Sequence, residues 1–133
     1  MKIAIATKDR FRRISGHAGR TTQWLIFDIS CKRNTRPIRI ELTPAQLPHF
    51  CADATGHPLA GVDVVVAASA GNGFIKHMSA WGAQTILTGE STPDDAIRKI
   101  LAEMKLKTPR LDMTRWICGL HERFTKRDRI SNT

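Results

Sequence analysis

Tyrosine is absent from this 133-residue chain, and aromatic residues make up only 6% of it. A stacking platform for nucleic-acid bases needs several exposed rings, so that mode of binding is poorly supplied. Cysteine is scarce and odd in number, three in all, which argues against a disulfide framework. In a reducing compartment such thiols are buried, redox-active or metal-ligating. No apolar run approaches the roughly 18 residues of a membrane span. The first apolar run, residues 3–6, is far too short for a signal peptide. A cytoplasmic protein that does not enter a membrane is therefore expected. Acidic residues are also few: 12 Asp and Glu stand against 21 Lys and Arg, for a net charge of +9. That excess favours an acidic partner, whether nucleic acid, an anionic cofactor or an acidic protein. There is no P-loop, no convincing pair of carboxylates and no serine–histidine–acid order, so no enzyme is expected.

What is present is organised around residues 61–89, GVDVVVAASAGNGFIKHMSAWGAQTILTG. Residues 62–68 form a near-continuous apolar run, as in a strand buried on both faces. The run breaks at SAGNG. Phe74, Ile75, Met78 and Trp81 then recur at helical spacing, and Gly82 stands where a left-handed cap ends such a helix. Residues 84–88 are a second short apolar run. Strand, helix and strand make a βαβ unit. Ligands on open α/β sheets bind at the carboxyl ends of strands. Gly71, Asn72 and Gly73 lie at such an end, in front of a helix N-terminus that is receptive to anions. The plainer alternative is that Asn72 and Gly73 only make the turn.

Along the rest of the chain, residues 2–7 (KIAIAT) read as a first central strand. Residues 8–22 form a long polar loop with four arginines, two glycines and His17. Residues 23–30 (QWLIFDIS) are a second strand. Residues 33–35 make a turn, and residues 37–42 alternate apolar and charged positions as a third strand, in a hairpin with the second. Residues 44–59 are irregular and hold three prolines, His49, Cys51 and His57. Thr92-Pro93-Asp94-Asp95 opens the last core helix with a cap, a proline and first-turn acids. Ile97, Ile100, Leu101 and Met104 are its apolar stripe. From Lys105 onward eight Lys and Arg meet three Asp and Glu, so five of the nine net positive charges lie there. Met113, Trp116, Ile117, Leu120 and Phe124 fall at helical spacing in that segment. The expected division is an α/β domain over residues 1–105 and a basic tail over 106–133 that holds one amphipathic helix.

This order of elements, with three local matches, resembles the dinitrogenase iron–molybdenum cofactor biosynthesis family, the NifX-type cluster carriers. The matches are the opening strand MKIAIAT; the loop ending Ser15-Gly16-His17-Ala18-Gly19-Arg20, where the family has a His-Phe-Gly motif; and HPLAGVDVV (57–65) leading into AGNGF (70–74). Ala18 stands where the family usually has phenylalanine, while the histidine and glycine remain. The resemblance covers roughly residues 1–105. It implies a ribonuclease H-like α/β fold, with a five-stranded mixed sheet in the order 3-2-1-4-5 flanked by helices. It also implies binding and transfer of an iron–molybdenum–sulfur or iron–sulfur cluster, without catalysis, as an accessory of nitrogenase-type cofactor assembly and nitrogen fixation. Cluster donor and acceptor proteins are the implied partners, and the chain is expected to be a monomer or weak dimer. The alternative function is a small basic nucleic-acid-binding module with a ribonuclease H-like fold. Nuclease activity is not expected, because such enzymes need several metal-binding acids on the central strands. Here only Asp28 and Asp63 are near.

His17 is the first candidate ligand. It sits in a glycine-flanked loop beside Arg10, Arg12, Arg13 and Arg20, and an imidazole with nearby cations suits iron in an anionic cluster. Gly19, Arg20, Gly71, Asn72 and Gly73 complete the expected cofactor-binding set. A second group gathers His49, Cys51 and His57: thiolate and imidazole suit iron or zinc, although the spacing is not a standard zinc pattern. Cys118 and His121, three apart on the expected tail helix, share a face and form a third group. Cys31 reads as structural and His77 as a surface or boundary histidine.

Overall fold

The computed structural model describes residues 1–30, 33–34 and 36–107. The first strand, β1 (Lys2–Lys8), lies at the centre of a mixed sheet. Five successive residues, Ile3 to Thr7, are buried, because the strand is covered on both faces. Side chains alternate across a strand. Ile3 and Ile5 enter one apolar cluster, and the smaller Ala4 and Ala6 enter the other.

On one side β1 pairs antiparallel with β3 (Gln23–Ser30), in the register Ile3 with Phe27 and Ile5 with Leu25. On the other side it pairs parallel with β6 (Val64–Ala67), Ile3 opposite Val64 and Ile5 opposite Val66. β7 (Gln84–Leu87) continues the parallel half beyond β6. β5 (Ile38–Glu41) pairs antiparallel with the first half of β3. Two further strands of two residues each, β2 (Arg13–Ile14) and β4 (Arg33–Asn34), pair with the end of β1 and the end of β3. The expectation of five strands in the order 3-2-1-4-5 is thereby corrected. The sheet has seven strands on the path β4-β3-β1-β6-β7, with β2 on β1 and β5 on β3. A two-residue strand is too short to show a period of two, so the sequence reads as loop at β2 and as turn at β4.

α1 (Asn72–Ala80) covers one face of the sheet. Phe74 and Met78 are its buried residues, and they join Trp24, Ile26, Val65 and Ala67. The helix ends where Trp81 caps it and Gly82 takes a φ of +87°, a value that costs glycine little. α2 (Pro93–Lys107) covers the other face. The Thr92 hydroxyl accepts the Asp95 N–H at 3.3 Å, which satisfies one of the unpaired first-turn donors. Ala96, Ile97 and Ile100 pack with Ile3, Ile5, Phe27 and Val66. The helix runs two residues past the expected domain end at residue 105. The rest of the basic tail, with the stripe from Met113 to Phe124, lies outside the described residues. Among those described, no helix is long and apolar enough to cross a membrane.

Candidate functional site

β1 and β6 are parallel neighbours, so the loops that leave their carboxyl ends come together. After Lys8 the chain passes through three non-glycine residues with positive φ: Asp9 at 54°, Arg10 at 58° and Phe11 at 66°. Each costs about 1–2 kcal/mol in a left-handed conformation. Phe11 is held by donating its N–H to Gln23 Oε1 at 3.2 Å and by its ring, 5.3 Å from the Arg39 guanidinium carbon. This turn brings the chain back through β2. The Ser15 N–H then donates to the Ala6 carbonyl at 2.8 Å.

Two main-chain bonds fasten this loop to the turn after β6. The Ala68 N–H donates to the Ser15 carbonyl at 3.0 Å, and the Ala18 N–H to the Ser69 carbonyl at 3.3 Å. Between them lies His17. Its N–H donates to Ser15 Oγ at 3.1 Å, and its carbonyl accepts the Arg20 N–H at 3.0 Å and lies 2.9 Å from Thr21 Oγ1. The His17 backbone is therefore fixed, while its side chain is exposed and makes no hydrogen bond among the described residues. Ala18 points the other way and is fully buried in the cluster under α1. The difference from the phenylalanine of the motif that this loop resembles thus concerns packing beneath the loop. Gly19 passes directly over α1: a Cβ there would lie 3.9 Å from Phe74 Cβ. Below them Trp24, fully buried, stacks on Phe74 with centroids 6.2 Å apart and donates its indole N–H to the Thr21 carbonyl at 2.9 Å.

Two adjoining hollows open above this layer. The first, about 320 Å³, has Gly16, His17, Ser69 and Ala70 in its wall. The second, about 490 Å³, runs between Phe74 and a wall formed by Leu47, Pro48, His49 and Phe50. Gly19, Arg20 and Gly71 line both. Gly73 and His77 line the second. The expected residues His17, Gly19, Arg20 and Gly71 are thus brought together, Gly73 is next to them, and Asn72 is the first residue of α1. Of the four arginines expected around His17, Arg20 alone lines these hollows. Gly71 adopts an ordinary extended backbone, φ −75° and ψ 159°, so positive φ is not its reason for being glycine.

The wall opposite α1 comes from the irregular stretch. It consists of two 3₁₀ turns, Pro44–Gln46 and Pro48–Phe50, and two histidines hold it in place. His57 is buried. Its Nδ1 accepts the Leu59 N–H at 3.0 Å, so its Nε2 carries the proton and donates to the Gln46 carbonyl. Both ring nitrogens are occupied, which leaves no lone pair for a metal. In this structure the expected ligand His57 is thus engaged with the main chain through both ring nitrogens. His77 donates from Nε2 to the Cys51 carbonyl at 2.7 Å. Both rings pack on Trp81, with centroids 4.8 and 4.9 Å away. Cys51 is half-buried, its thiol 3.6 Å from the Ala45 carbonyl. Among the described residues no three of His, Cys, Asp and Glu gather as a metal site. Cys118, His121 and Cys31 lie outside the described residues. Asp63 Oδ2 accepts the Lys2 N–H at 2.8 Å at the amino end of the sheet, away from both hollows.

His77 is therefore a staple between the wall and α1, where the sequence alone suggests a bystander. His77→Ala should lower stability by about 1 kcal/mol, the usual loss for one hydrogen bond, and chemical denaturation will show it as a lower midpoint at unchanged slope.

The family model described as "Dinitrogenase iron-molybdenum cofactor" matches residues 1–103. No curated protein matches the chain. Among solved structures, the crystal structure of PH0822 is similar at 22% identity and a TM-score of 0.61, over 77% of this chain and 90% of that one. The NMR structure of a Thermotoga protein, TM1290, described as a candidate NifB protein of the DUF35 family, is similar at 17% identity and a TM-score of 0.55, over 76% of this chain and 87% of that one. At these identities the two likenesses carry the fold alone.

Proposed function

The chain belongs to the dinitrogenase iron–molybdenum cofactor family, and from that premise we propose that it binds a metal–sulfur cluster, iron–molybdenum or iron–sulfur, and passes it between cluster donor and acceptor proteins without catalysis. The observation that carries this reading is the meeting of the His17 loop with the Ser69–Gly71 turn in one hollow at the start of α1. The donor set fits such a cargo. Imidazole nitrogen is a good ligand for iron. The Arg20 guanidinium and the N-terminal dipole of α1 offset the charge of an anionic cluster, and α1 has no acidic residue in its first turn to oppose them. A carrier must also let go, and an exposed histidine on a fixed backbone allows that better than a closed cage of cysteines.

Within this reading the fold is ribonuclease H-like: an antiparallel group of β1, β3 and β5 continued by the parallel strands β6 and β7. The carboxylate of Asp63 is engaged at the far end of the sheet, which supports a binding role for the fold over a nuclease one.

The test is anaerobic reconstitution of the full chain with ferrous iron and sulfide, followed by gel filtration, metal and sulfide analysis and an absorption spectrum. Iron and acid-labile sulfide should elute with the protein. Elution of protein free of both would overturn the reading. Gly71→Val examines the shared wall. A Cβ at Gly71 meets nothing within 4 Å and the backbone is extended, so the variant should fold. Its branched side chain enters both hollows and should reduce uptake several-fold. Undiminished uptake in the folded variant would return Gly71 to a purely structural role.

A further inference from the structure

We infer that His49 is a second protein ligand of the cluster, on the wall of the hollow that adjoins the one lined by His17. The inference rests on the cluster-binding reading above. Of the four histidines among the described residues, two are committed: His57 by both ring nitrogens, and His77 through Nε2 to the Cys51 carbonyl. The other two, His17 and His49, are exposed, and their imidazoles make no hydrogen bond among the described residues. His17 lines the smaller hollow and His49 the larger. The hollows share Gly19, Arg20 and Gly71. The two histidines therefore line neighbouring hollows whose shared wall holds one cation and two residues without side chains.

The position of His49 is held as firmly as that of His17. Its 3₁₀ turn sits on buried Pro48, and the turn is closed by Phe50 N–H to the Leu47 carbonyl at 2.9 Å and Cys51 N–H to the Pro48 carbonyl at 3.0 Å. Its ring stands edge-on to Phe50, 5.0 Å between centroids. A single metal ion would need both nitrogens about 2.0–2.1 Å from one centre. A multinuclear cluster has no such requirement, because different metal atoms can take different ligands. Ligation by both histidines therefore does not require their nitrogens to meet at one metal atom. Attachment at two points on separate loops slows release relative to either point alone.

The probe is an iron–sulfur cluster assembled anaerobically from ferrous salt and sulfide on the full chain, with ¹⁵N-labelled histidine. Pulsed EPR of the reduced cluster counts the coupled imidazole nitrogens, and the second readout is the rate of iron loss to excess chelator. The parent should show two coupled nitrogens. His49→Ala should still load, show one coupling and lose iron about tenfold faster. One coupling in the parent, or two couplings and an unchanged rate in His49→Ala, would overturn the assignment of His49 while leaving the carrier reading intact. Failure of the parent to load would overturn both. A single coupling in the parent overturns the assignment without any variant, so that outcome does not depend on how well His49→Ala folds.

Discussion

His17→Ala should leave the chain folded and reduce cluster binding by at least tenfold. The folding half follows from exposure and bonding. The His17 side chain makes no hydrogen bond among the described residues, and its N–H and carbonyl contacts survive in alanine. Surface substitutions of this kind usually stay within about 0.5 kcal/mol. The binding half follows from ligation. Altering a residue that merely supports a metal ligand typically costs about 10–100-fold in affinity, so removing the ligand itself should cost no less. Iron per chain after anaerobic reconstitution, with circular dichroism alongside, decides the matter. A folded His17→Ala that retains the parent's iron and sulfide would end the assignment.

Trp24→Ala should have the largest effect on stability. Trp24 has no exposed surface, stacks on Phe74 and donates to the Thr21 carbonyl. Removing a buried tryptophan costs about 3–5 kcal/mol, against a typical domain stability of about 5–15 kcal/mol. Chemical denaturation should show most of the domain's stability gone, or no folded baseline. Cluster uptake should fall as well, since Trp24 supports the His17 loop directly through the Thr21 carbonyl and indirectly through Phe74 beneath Gly19. Trp24→Phe separates the contributions: it keeps a ring against Phe74 and forfeits the indole donor, for a smaller loss that includes about 1 kcal/mol from the hydrogen bond. A Trp24→Ala variant within about 1 kcal/mol of the parent, well below what such cavities cost, would show that the layer beneath the site is not packed as described.

Elements with long-range apolar patterning are legible in the amino-acid sequence. The valine run gives β6, the Phe74–Met78 spacing gives α1, and Thr92-Pro93 gives the start of α2. The meeting of His17, Gly19, Arg20 and Gly71 is legible too, because loops at the carboxyl ends of adjacent parallel strands must converge. The second wall of the site is not. It comes from residues 44–59, where prolines and 3₁₀ turns leave no periodicity to read. The bonds that place it join residues far apart in the chain, such as His77 to the Cys51 carbonyl. The commitment of His57 is equally hidden, since its partners at Gln46 and Leu59 are main-chain atoms, and a sequence shows side chains only. Positive φ at Asp9, Arg10 and Phe11 has no signal at all, for none of them is glycine.

The pairing of β1 with β6, Ile3 beside Val64, also orders events on the ribosome. The first strand emerges early and finds β3 within some twenty residues, but its other neighbour is synthesised about sixty residues later. Distant pairings close more slowly than local ones, so pairing among β1, β3 and β5 is expected to precede that of β1 with β6. The turn at Ser69–Gly71 does not yet exist at that stage, and neither does the hollow. On the proposed reading, the place for a cluster is complete only once β6 has paired with β1.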